Sequence, residues 1–233
     1  YGNVRSSSQQ ALSLAYSTTD GHFRMAMVNQ FSNLHIITME PSQSNNTPSL
    51  TFKGSGNAYT SINNTEGTWM CYDSANNRFL VSARNNQSND DRGTYYYFST
   101  ATSNGAITNH ATGHFYNVYS VNYTRCEYNP QDQCAVIIFH YTGGLGVKQL
   151  DLNSDGTVTV VGGANTVYSQ HNTGANKFAH LAYDAVGKKI ILGRRSASSN
   201  NHMQVGKVIT SGSSPSVTDI ITLHTLEVNS AIA

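Results

Sequence analysis

Four tyrosines recur at a near-constant interval along this chain: Tyr16, Tyr72, Tyr128 and Tyr183, separated by 56, 56 and 55 residues. Each closes a short segment, SLAY, WMCY, RCEY or HLAY, and is followed by a polar turn and an apolar run, FRMAMV, FLVSA, CAVIIF or IILG. Self-similarity at a period of this size points to a solenoid, a propeller or an array, in which each unit buries its apolar face on a neighbour. Units at approximately 8–61, 62–120, 121–175 and 176–233 use nearly all of the 233 residues, so we read one repeat domain, 1–233.

Within a unit the periodicity is two. Leu14 and Tyr16, Met70 and Tyr72, Cys126 and Tyr128, and Leu181 and Tyr183 each share one strand face. The turns STTDGH, DSANNR, NPQDQ and DAVGKK carry the Asp, Asn, Gly and Pro of tight hairpins. The second strand is apolar on both faces, as in a strand sandwiched between neighbours. A variable polar loop, a third strand (LHIITME, TYYYFST, VKQLDL, MQVGKVI), a second turn (SQSNNTP, ATSNG, NSDG, TSGSSPS) and a fourth strand complete each unit. Four strands repeated four times, without an amphipathic helical pattern, predict an all-β chain: a β-propeller of four tandem four-stranded blades, complete or part of a larger propeller or array. A β-prism or an open row of sheets are the alternatives.

Composition narrows the function. Charged residues make up 12% and the net charge is +1, which leaves no basic footprint for nucleic acid. No run reaches the 18 or so apolar residues of a membrane span, so no membrane insertion is expected. The chain starts at Tyr1 without a signal-peptide pattern, and we read it as processed or as part of something longer. Cys126 and Cys134 flank EYNPQDQ; a hairpin centred on Pro130 would set them across from each other, where a disulfide would be worth about 2.5 kcal/mol. Two ordinary buried thiols are the alternative, and Cys71 reads as a small core residue.

The unit pattern is a tyrosine, an Asp or Asn, a turn, an apolar strand ending near a basic residue, a polar loop and a strand like VGKVIT. Its clearest copy is AYDAVGKKIILGRR from Ala182 to Arg195, continuing SASSNNHMQVGKVITSGSSPSVTDI. This resembles the tandem β-propeller repeats of bacteriophage tail-fibre and other appendage proteins. All four units take part, the fourth most clearly; the first has Ser17 where Asp73, Asn129 and Asp184 follow the other tyrosines. The resemblance implies a structural or receptor-binding role on a virion surface or another extracellular structure.

Two columns of the repeat are candidate ligand sites. Twelve residues after the tyrosine stand Val28, Arg84, His140 and Arg195, three of them basic; together they suit an acidic ligand such as a carboxylated sugar or phosphate, and singly they suit one structural role per blade. Three before it stand Ser13, Trp69, Arg125 and His180; Trp69 suits stacking on a sugar or filling a gap between blades, and Arg125 suits pairing with Glu127 on its own strand face. Asp151, Asn153 and Asp155 in DLNSDG open a calcium-loop pattern, but Gly162 stands where the closing Glu belongs, so a plain hairpin turn is the leading reading and calcium a weak one. Sequons at Asn45, Asn63, Asn86 and Asn122 carry little information in so polar a chain. No nucleophile elbow, phosphate loop or HExxH occurs, and no cofactor is implied.

The expectation is a non-catalytic extracellular or virion-surface protein that builds a fibre or adhesin, with other copies of itself or other virion or filament subunits as partners. Host glycan would bind its variable loops, Asn85 to Gly93 and Ser196 to His202. A carbohydrate-active, sialidase- or lyase-like propeller, with carboxylates beside the basic column, is the alternative. A purely structural filament subunit is a third.

Overall fold

The computed structural model describes residues 12–28, 33–44, 47–60, 68–87, 90–117, 121–142, 144–168, 179–195, 203–210 and 214–223. These residues form four four-stranded antiparallel sheets, each a meander of strands consecutive in sequence. The first sheet holds β1 (Ser13–Tyr16), β2 (Phe23–Val28), β3 (Leu34–Ser44) and β4 (Thr47–Tyr59). The second holds β5 (Trp69–Asp73), β6 (Arg78–Gln87), β7 (Asp90–Thr100) and β8 (Ile107–Tyr116). The third holds β9 (Tyr123–Asn129), β10 (Cys134–Tyr141), β11 (Gly144–Leu152) and β12 (Val158–Tyr168). The fourth holds β13 (Ala179–Asp184), β14 (Lys189–Arg195), β15 (Met203–Ile209) and β16 (Ser216–Leu223).

The turn after each marker tyrosine explains the residue that follows it. Asp73 Oδ1 accepts a hydrogen bond from the Ala75 amide at 3.0 Å, Asn129 Oδ1 from Gln131 at 3.1 Å and Asp184 Oδ1 from Val186 at 3.0 Å; Ser17 Oγ does the same for Asp20 at 3.3 Å. A short polar side chain that caps the next backbone amides is what a tight turn needs there. The turn then closes on a left-handed residue in every sheet: Gly21, Asn77, Gln133 and Lys188.

Register puts Tyr16, Tyr72 and Tyr183 opposite the first residue of their apolar runs, Phe23, Phe79 and Ile190, and Tyr128 opposite the second residue of its run, Ala135. Residues in register share a sheet face, and this one looks toward the preceding sheet. Tyr72 Oη donates to Thr19 Oγ1 of the first sheet at 2.6 Å. Three apolar clusters are therefore three sheet-to-sheet interfaces. Met70, Phe79, Val81 and Phe98 pack on Ala26, Val28, Leu34 and Ile36. Cys126, Tyr128, Ile137 and Phe139 pack on Leu80, Tyr95 and Tyr97. Ile190, Leu192 and Val208 pack on Val136, Ile138 and Val147.

A polar dock accompanies each cluster. Arg24 Nε donates to Thr100 Oγ1 at 2.7 Å, Arg78 donates to the carbonyls of Asn153 at 3.1 Å and Ser154 at 3.0 Å, and Asn129 Nδ2 donates to Thr210 Oγ1 at 3.2 Å. In each case the first hairpin of one sheet grips the end of the third strand of the next.

Two expectations are corrected. The β9–β10 turn places Asn129, not Cys126, opposite Cys134, while Cys126 pairs with Ile137. Cys134 and Ile137 are an odd number of residues apart, so Cys126 and Cys134 point to opposite faces of the sheet, and all three cysteines are free and buried. The segment SQSNNTP is not one broad turn. Pairing runs on to Ser44 and Thr47, with Ser42 Oγ 2.6 Å from Ser49 Oγ, so β3 and β4 extend into an exposed arm.

Candidate functional site

Period-two geometry decides which inner-strand side chains can meet. Trp69 is in register with Ser82, Arg125 with Ile138 and His180 with Gly193, which puts Trp69 and Arg125 on the face of their sheet that looks toward the following one and His180 on the corresponding face of the fourth sheet. They converge. The Arg125 guanidinium lies 3.9 Å from the Trp69 ring centre and 4.0 Å from that of Tyr123. The His180 ring meets the indole edge-on at 6.1 Å. Ser13, the first member of this column, is tied instead to the second sheet, where its Oγ accepts from the Met70 amide at 2.8 Å.

The guanidinium is held between two aromatic faces, an arrangement worth roughly 0.5–2 kcal/mol per contact. One of its nitrogens donates to the Thr124 carbonyl at 3.3 Å. Its Nε and the Tyr123 hydroxyl are buried with no hydrogen-bond partner among the described residues. Burial lowers the pKa of Arg125, and it pushes Tyr123 up to about 12 against the pull of Arg125. Burial, and then the charge of Arg125, lower the pKa of His180 from its ordinary value.

Glu127 lies two residues further along β9, on the face of Tyr123 and Arg125. No ion pair joins it to Arg125 among the described residues, so the expected pairing is not made. Arg125 has turned toward its aromatic partners. Burial raises Glu127 to about 7, although a backbone hydrogen bond from Tyr128 works the other way.

The other candidates are placed as follows. Arg84 is half-buried on β6 opposite Gly93, and His140 is buried on β10 opposite Tyr123 and Leu145. The side chain of Arg195, the segment Ser196 to His202 and residues 88–89 lie outside the described residues, as do Asn45, Asn63 and the side chain of Asn86; the expected loop from Asn85 to Gly93 is instead mostly strand, with Asn85 paired to Arg92 and Gln87 to Asp90. In DLNSDG, Asp151 Oδ1 accepts from Gln149 at 2.7 Å, and Asp155 Oδ1 accepts from the Thr157 amide at 2.9 Å and hydroxyl at 2.7 Å. Asn153 bonds Thr157 across a hairpin turn, and the turn's carbonyls hold the cation of Arg78. No group of three or more His, Cys, Asp or Glu that could hold a metal occurs among the described residues.

Sequence reasoning passed over Tyr123 as a site residue, although a position two before Arg125 on a strand always shares its face. It also passed over Arg24, which is wholly buried. The signal was its column: eight residues after the tyrosine the other units carry Leu80, Val136 and Ile191.

No protein-family model matches the chain, and no curated protein does. Solved structures do. AofleA from Arthrobotrys oligospora superposes with a TM-score of 0.57 at 8% identity, over 91% of this chain and 57% of that one. A putative 6-phosphogluconolactonase from Bacteroides uniformis gives 0.57 at 12% identity, over 95% and 62%. The Dos1 propeller gives 0.50 at 14% identity, over 92% and 47%. The fold is all-β, with four antiparallel sheets resembling β-propeller blades. At these identities the likeness shows the fold alone, and the chain spans roughly half to three-fifths of the length of the structures it matches. In blade terms, Trp69, Arg125 and His180 come from the innermost strands of blades two, three and four. No helix long and apolar enough to cross a membrane occurs among the described residues.

Proposed function

We propose that this chain is a non-catalytic binding and assembly module of an extracellular or virion-surface structure, a phage tail fibre or similar appendage, and that Trp69, Arg125 and His180 contact an acidic glycan. The observation that carries this reading is the unpartnered Arg125 Nε beside the unpartnered Tyr123 hydroxyl, both buried within an aromatic wall. A buried donor without a partner costs about 1–3 kcal/mol. A sugar carboxylate supplies two acceptors for it, and rings such as these offer flat faces to a pyranose. Several copies on one particle would turn weak contacts into firm attachment. In this reading the blades are an open arc of a larger propeller, which the exposure of Leu14 and Tyr16 on the first blade supports.

A glycan array probed with the intact protein tests the proposal. Binding to carboxylated glycans is expected to fall about tenfold or more in Arg125→Ala, the loss of one charge-assisted hydrogen bond. Arg84→Ala and Arg195→Ala test the outer basic column in the same way. Unchanged binding in Arg125→Ala removes the inner cluster as the site, and no binding to any acidic glycan overturns the glycan reading.

Glu127 favours a second reading, a carbohydrate-active enzyme. A buried carboxyl held near 7 is poised for proton transfer at neutral pH. Turnover of an acidic polysaccharide that disappears in Glu127→Gln would support it; absence of turnover across such substrates would discard it.

A further inference from the structure

Every blade has one face toward the preceding blade and one toward the following blade. In β10, between blades two and four, every residue from Cys134 to His140 is buried. The two outer blades differ. On the first, β2 buries Arg24, Ala26 and Val28 but leaves Phe23, Met25 and Met27 half-open. On the fourth, β14 buries Ile190 and Leu192 but leaves Ile191 and Gly193 half-open. The open residues belong to opposite faces of the repeat.

The open face of the first blade is apolar along two registered rows, Leu14–Met25–Ile37 and Tyr16–Phe23–Met39–Phe52. Leu14 is 55%, Tyr16 45% and Phe52 48% exposed. Their counterparts on the second blade, Met70–Val81–Tyr96 and Tyr72–Phe79–Phe98, are the side chains that pack on the first blade. At the other end, the rows Ala182–Ile191–Lys207 and His180–Gly193–Val205–Ile221 form the open face of the fourth blade, with Ile221 61% exposed. A Cβ added at Gly193 would meet nothing within 4 Å. The residues at the same place in the first three blades, Ala26, Ser82 and Ile138, are wholly buried against the next blade.

We propose that these two faces meet between copies of this chain, the fourth blade of one seating on the first blade of another. The occupant follows from continuity: the two faces are the two halves of an interface the chain already makes three times, between blades one and two, two and three, and three and four. Length allows a second copy, since the chain covers 47–62% of the structures it matches. Two copies joined head to tail give eight blades, within the range of about four to eight for closed propellers. The contact is heterologous and closes when the second junction forms. It does not depend on the glycan reading.

The test is the mass of the 233-residue chain in solution, by light scattering across a dilution series, for the wild type, Tyr16→Lys and Ile221→Lys. Both positions are exposed, so the variants keep the fold, which circular dichroism and denaturant midpoints verify. The wild type is expected to be a dimer, and each variant alone a monomer, because each spoils both junctions. An equimolar mixture of the two variants is expected to regain a dimer, because one unaltered fourth blade then meets one unaltered first blade. A wild-type monomer at every concentration overturns the proposal, whether its faces are covered within the chain or by another protein. A dimer that survives Ile221→Lys, or variants that fail to rescue each other, overturns it as well.

Discussion

Asp20 holds the buried guanidinium of Arg24 with both carboxylate oxygens, at 2.8 and 2.6 Å. The same guanidinium bonds Thr100 on the second blade and lies 5.2 Å from the ring centre of Phe79. An ion pair thus occupies the place where the other blades put an aliphatic side chain, and it joins a turn of one blade to the core of the next.

Removing one partner of such a pair strands the other, at a cost of about 3–5 kcal/mol. Arg24→Ala is therefore expected to lower the urea midpoint sharply. The pH dependence has a definite sign. Burial works to raise the Asp20 pKa, but the hydrogen bonds from Arg24, His22 and Ser17 outweigh it and leave the group below 3.8. A depressed carboxylate stabilises the fold above its unfolded value and loses that contribution as pH falls through the folded one. The wild type is expected to lose stability below pH 3.8, and Arg24→Ala to show a smaller acid-induced change.

Gly54 tests the packing between the first two blades. A Cβ there would lie 1.7 Å from the Asn104 carbonyl oxygen, and the neighbouring Gly105 already sits at φ 67° to make the approach. Gly54→Ala is expected to destabilise by about 1–3 kcal/mol in denaturant unfolding, as overpacking does. Gly193→Ala, in a strand and facing open space in the single chain, is expected to be neutral or to stabilise by up to about 1 kcal/mol in the dilute monomer.

Glu127 runs opposite to Asp20. Its folded value of about 7 lies above its ordinary 4.5, so the folded state binds more protons between those values and stability falls as pH rises through that window. At about 1.4 kcal/mol per unit the loss is about 3 kcal/mol at most. Glu127→Gln is expected to flatten the dependence of unfolding free energy on pH from 4.5 to 7; an unchanged slope would show that Glu127 is solvated.

The thiols are expected to be inert in the folded protein. Cys71 is raised well above 9 by its contact with Cys126 and by burial, and burial pushes Cys134 up to about 12. Labelling with a thiol reagent at pH 8 should be slow in native protein and complete for three thiols after denaturation, with no Cys126–Cys134 bridge in non-reducing peptide maps. Rapid native labelling would contradict the burial.

The turns were legible because their causes are local. An Asp or Asn after the tyrosine caps the backbone amide two residues further on, and the left-handed position lies five residues after the tyrosine whether filled by Gly21, Asn77, Gln133 or Lys188. The column of Trp69, Arg125 and His180 was legible as a column but not as a contact, because spacing gives the strand face and not which rings touch across blades. The disulfide expectation failed on a single number, the length of the β9–β10 turn, since a shift of one residue reverses every side chain.

Sequence alone therefore determined what one unit can see of itself: the period, the strands, the turns and the alternation of faces. The tertiary structure decided what depends on neighbours in space. It buried Phe79 and left Phe23 half-open at the matching position, enclosed Arg24 against Asp20, and turned Arg125 toward aromatic rings instead of Glu127. Burial belongs to pairs of blades, and no blade carries in its own residues the identity of the surface that will cover it.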